Sequence, residues 1–108
     1  MAELHITQLI CLNPEDNTSP DEATLQINGN VVSGPHSMVA GDVLGLSVFH
    51  SFTGIVAVNM IEQDGGGVDD FIGTVSVPDN LPLGVTQIGQ FLAAVPNANY
   101  NMDYHLHP

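Results

Sequence analysis

The sequence predicts an all-β domain, an antiparallel two-sheet sandwich of seven or eight strands. Three observations lead there. Short apolar runs, several of them alternating with polar residues, are separated by Gly, Pro, Asn and Asp at the spacing of roughly 8–12 residues that sandwiches show. No stretch sustains an apolar stripe at i, i+3, i+4 and i+7 beyond one or two turns, so no helix of ordinary length is expected. The 108 residues suffice for one modest core, and no repeat or low-complexity tract divides them. Residues 1–108 are therefore read as a single domain.

The elements follow in order. Residues 3–12 alternate with Leu4 and Ile6 on one face; the phase then slips by one, so that Leu9 and Cys11 continue that face, as a β-bulge allows. Residues 22–28 form a second strand, and Asn28-Gly29-Asn30 turns it into a short third strand at Val31-Val32-Ser33, which Gly34-Pro35 should end. Residues 43–50 place Leu44, Leu46 and Val48 on one face. Ser51 to Gly54 reads as a hairpin turn into residues 55–61, where Val56, Val58 and Met60 share a face. Residues 71–77 give another strand, and residues 87–95 and 100–106 a last hairpin around Pro96-Asn97-Ala98-Asn99.

Charge narrows the function. The chain has no lysine or arginine against twelve aspartates and glutamates, a formal charge of −12. At average usage a chain of this length would lack both cations about once in a million draws. Nucleic acids and anionic lipids bind clusters of basic side chains, so neither is an expected partner. Each carboxylate must instead find backbone N–H groups, one of the five histidines, the amino terminus, water or a metal ion.

Two acidic loops stand out. The first, residues 14–22, holds Glu15, Asp16, Asp21 and Glu22. The second lies within residues 60–73, where Glu62 and Asp64 sit two apart at a strand end and so point the same way. Gly65-Gly66-Gly67 permits a sharp return that brings Asp69 or Asp70 back toward them. Two carboxylates 4 Å apart repel by about 1 kcal/mol in water and about 4 kcal/mol at a surface-like dielectric, so such gathering calls for a cation. Calcium suits flexible loops of hard oxygen ligands better than magnesium does.

Glu62-x-Asp64 followed by Asp69-Asp70-Phe71-Ile72-Gly73 resembles the third loop of the calcium-dependent C-two domain, the lipid-binding sandwich. Leu9-x-Cys11, Asp21-Glu22, Asn28-Gly29 and the terminal Tyr100-x-Met102-x-Tyr104 fall in the order seen in small bacterial C-two-like modules. This resemblance implies a calcium site with Glu62, Asp64 and Asp70 from the second loop and Asp21 with Glu15 or Asp16 from the first. Glu62 stands where the family usually has aspartate, which lengthens one ligand arm. The family's basic phosphoinositide patch is missing altogether.

The remaining candidates are weaker. Asp103, His105 and His107 alternate onto one strand face, a spacing able to hold zinc, copper or nickel, or simply a solvated face. His5, His36 and His50 read as surface residues, Cys11 as a small buried thiol, and Phe49, Phe52, Phe71 and Phe91 as core or edge packing. No catalytic triad, phosphate loop or paired catalytic carboxylates can be read, so an enzyme is not expected. Residues 1–20 show no secretory pattern, and no window approaches the roughly 18 apolar residues of a membrane span. A soluble chain is expected, with a surface or extracellular assembly open to it.

The sequence thus predicts a non-enzymatic, calcium-binding sandwich that binds protein or assembles. The competing reading is the subunit of a homopolymeric filament, sheath or coat, for which a chain without tryptic cleavage sites is suited. Calcium could bridge such subunits. Docking to a membrane would have to run through calcium bridges alone. A third reading explains the composition by an acid habitat, where protonated carboxylates make basic side chains a burden.

Overall fold

The computed structural model describes residues 2–14, 21–62, 70–93 and 98–108. Eight strands form two antiparallel four-stranded sheets. They are β1 (Ala2–Asn13), β2 (Asp21–Ile27), β3 (Asn30–Met38), β4 (Val43–Phe52), β5 (Ile55–Glu62), β6 (Asp70–Pro78), β7 (Gln87–Ala93) and β8 (Ala98–His107). The order is β4-β1-β8-β7 in one sheet and β3-β2-β5-β6 in the other. The predicted sandwich is therefore the observed one. Among the described residues no helix is long and apolar enough to cross a membrane.

The core follows from strand alternation. Leu4, Ile6, Leu9 and Cys11 from β1 meet Tyr100, Met102 and Leu106 from β8 and Phe91 from β7. The facing sheet contributes Leu25, Ile27, Val56, Val58, Met60, Ile72 and Val77. The phase slip in β1 is real: against β8 the pairing passes from Ile6 opposite Tyr104 to Gln8 opposite Asp103, so Thr7 is the extra residue that keeps Leu9 and Cys11 inward, while against β4 two residues, Leu46 and Ser47, face Thr7. Phe71 departs from expectation, pointing outward from β6 at 61% exposed.

Two local readings are corrected. Gly34-Pro35 does not end β3, which runs on to Met38 with register shifts against β2 between Ala23 and Gln26. An edge strand tolerates this because one side of its backbone has no ladder to complete. Gly34 has φ +101, and a Cβ there would run into the Ala23 carbonyl oxygen. Gly34→Ala should accordingly cost about 2 kcal/mol, from overpacking on top of backbone strain, read as a lower urea midpoint at unchanged slope.

Residues 51–54 do not join a hairpin. β4 and β5 belong to different sheets, so the chain crosses from one layer to the other. Gly54 and Asp79 clasp that crossing: Gly54 N–H donates to Asp79 Oδ2 at 2.8 Å and Asp79 N–H donates to the Gly54 carbonyl at 2.8 Å. A second carboxylate, Asp42, likewise accepts from Val39 N–H at 2.9 Å. Backbone N–H groups thus serve as partners for these two acids in a chain without basic side chains.

Candidate functional site

Strand register brings residues that flank the two acidic segments to one end of the β3-β2-β5-β6 sheet. β2 starts at Asp21, β5 ends at Glu62 and β6 starts at Asp70. β5 is hydrogen-bonded to both neighbours, with Ala23 opposite Glu62 on one flank and Asp70 opposite Glu62 on the other. Asp21, Glu62 and Asp70, which flank segments 15–20 and 63–69 in sequence, therefore lie at neighbouring strand ends. Glu15, Asp16, Asp64 and Asp69 lie outside the described residues, as does the Asp21 side chain.

Glu62 is the centre of what is described. Its side chain is only 5% exposed, and Oε1 accepts a long 3.4 Å bond from Glu22 N–H. Asp70 is its register partner on β6, and Ala23, two residues after the start of β2, is its partner on the other flank. Glu62 and Asp70 stand opposite one another across β5 and β6. The donor set is carboxylate oxygen, which fits calcium.

A second cluster lies toward the other end, on the outer face of the β4-β1-β8-β7 sheet. His5 of β1 pairs directly with His105 of β8, and Glu3 pairs with His107. His5, His105 and His107 form a group able to hold a metal ion. Phe49, opposite His5 on β4, stacks on its ring with centroids 4.1 Å apart and planes within 17°. Asp103 is not a member of this group: the bulge at Thr7 sets it opposite Gln8. His5 takes the third place that sequence spacing had given to Asp103. His5, read from the sequence as a surface residue, lies on the outer face and packs there against Phe49, His105 and His107.

Partial burial, then the neighbouring His105 and His107, hold the His5 pKa below its ordinary 6.5, with Glu3 pulling the other way. The folded chain therefore resists protonating His5 more than the unfolded chain does. Its contribution to stability falls as pH drops below about 6.5 and is absent well above it. Imidazole NMR titration should give His5 a midpoint under 6.5; a midpoint at or above that value would contradict the packing described.

No family model matches the chain, and no curated protein matches it. Solved structures do. A C2 (C-two) domain structure aligns over 100% of both chains with a TM-score of 0.67 at 10% identity. C2 domain A of plant extended synaptotagmin 1 aligns over 99% of this chain and 93% of its own with a TM-score of 0.50 at 6% identity. Likeness at such identities is a likeness of fold. The sandwich is C-two-like, as the sequence motifs implied.

Proposed function

We propose that the chain is a non-enzymatic calcium-binding module whose calcium-ordered end engages a protein partner or further copies of itself. The observation that carries this is the buried Glu62 carboxylate, held in register beside Asp70 at the end from which both acidic loops leave. The C-two-like fold supports the same reading. Bound calcium supplies a positive charge that no lysine or arginine of the chain can supply, and it takes six to eight oxygen ligands. Glu62, Asp70 and Asp21 would hold it from the strand ends, with Asp16 or Glu15, Asp64 and Asp69 from the loops.

A protein partner suits the surface better than a lipid one. Phe71 stands exposed next to Asp70, whereas the basic residues that would draw anionic lipid are absent from the whole chain. The homopolymer reading draws on the outward-facing Ile55, Ile88 and Leu92. Thermal melts in EDTA, magnesium and about 1 mM calcium, enough to fill even a weak extracellular-type site, test the calcium reading. Calcium should raise the melting temperature where magnesium does not. Equal melts in all three would refute it, and sedimentation of the same samples separates monomer from polymer.

A further inference from the structure

We infer that His5, His105 and His107 form a site for a divalent transition metal, with zinc the best fit, distinct from the acidic loops. His5 Nδ1, His105 Nε2 and His107 Nε2 close a triangle with edges of 3.3, 3.0 and 3.5 Å. A tetrahedral zinc with Zn–N bonds of about 2.05 Å requires N···N edges of about 3.3 Å. The three edges straddle that value.

Hydrogen bonding does not account for the triangle. Each imidazole nitrogen offers either one N–H or one in-plane lone pair, never both. Three such nitrogens converging on one point cannot satisfy all three edges, whichever tautomers are chosen. Three lone pairs directed at one cation satisfy all of them together.

The setting favours metal over solvent. β1 and β8 are neighbours in the middle of a four-stranded sheet, so the ligands ride on paired backbone rather than on loops. The stacked Phe49 ring holds the His5 imidazole in place and covers one of its faces. Glu3, opposite His107 in register, adds a negative charge near the ligands. Imidazole nitrogen suits zinc, copper and nickel, whereas calcium takes oxygen, so the two ends of the sandwich do not compete for one ion. Three protein ligands leave the fourth tetrahedral position for water or an external donor.

Zinc titrated into EDTA-stripped, dialysed protein tests this by calorimetry and imidazole NMR. One zinc per chain should bind, shifting the ring resonances of His5, His105 and His107 and leaving those of His36 and His50 in place. His105→Ala and His107→Ala should weaken binding by more than the roughly 10- to 100-fold typical of outer-shell losses, while His50→Ala changes nothing. Prior saturation with calcium should leave zinc binding intact. Ring shifts in the unaltered chain decide the matter even where a variant folds poorly. Absence of stoichiometric binding, undisturbed rings, or zinc displaced by calcium would overturn the assignment.

Discussion

Glu62→Gln should abolish most of the calcium response while raising the melting temperature of the calcium-free chain. The side chains are nearly isosteric, so the change isolates charge. Without calcium, the substitution removes one negative charge from an end that also holds Asp21, Glu22 and Asp70. At partly exposed dielectric a single like-charge contact is worth about 1–4 kcal/mol, and the low end of that range already corresponds to several degrees in a domain of this size. With calcium, the unaltered chain gains about 2.7 kcal/mol when the ion stands at a hundred times its dissociation constant, or roughly 10 °C or more. The variant should lose most of that gain. A variant with the same calcium shift as the unaltered chain would remove Glu62 from the site.

Phe91→Ala should be the most destabilising of these substitutions, by about 3–5 kcal/mol. Phe91 is fully buried in β7, opposite Tyr100 of β8. It also lies where the two sheets come close together: a Cβ built on Gly73 of β6 would lie 3.2 Å from Leu92 N and 3.3 Å from Phe91 Cα. Neighbouring backbone at that distance closes in poorly, so the void persists. Typical domains have only 5–15 kcal/mol to lose, so a drop in urea midpoint with unchanged slope should be plain. β6 also carries Asp70, three residues before Gly73, so weaker calcium binding should accompany the loss. A change below about 1 kcal/mol would mean the core collapses around the void.

The fold was legible where local pattern suffices. Alternation in β1, β5 and β8 marks the buried face, and the slip at Thr7 shows in the spacing of Ile6 and Leu9. Asn28-Gly29 announces the β2–β3 turn, and both residues have the positive φ that such a turn requires. The misread features depend on distant partners. Residues 51–54 look like a hairpin because a tight turn has the same local chemistry whether the next strand pairs with the last or crosses to the facing sheet. Gly34-Pro35 looks like a stop because its place at a sheet edge is set by β2, not by the neighbouring residues.

The acidic end was legible as composition, since Glu62 and Asp70 bracket a glycine-rich loop between two apolar strands. The burial of Glu62 follows from β5 running one residue beyond the expected end at 61, which puts Glu62 on the inward face of Val56, Val58 and Met60. The histidine triangle was half legible. His105 and His107 share a face by period, but His5 joins them across a separation of 100 residues. A signal did exist: His5 lies on the solvent face of the first strand, and His105 and His107 on that of the last. Recognising it requires knowing that β1 and β8 are neighbours.

The central claim is that calcium is the counter-charge of the Glu62 end. Amide NMR of the uniformly labelled chain, titrated with calcium, tests it most directly. The predicted result is a saturable set of shifts concentrated at Asp21, Glu22, Glu62, Asp70 and the segments joining them, with the amides of His5, His105 and His107 unmoved. A spectrum unchanged at millimolar calcium, or shifts centred on the histidine face, would contradict it.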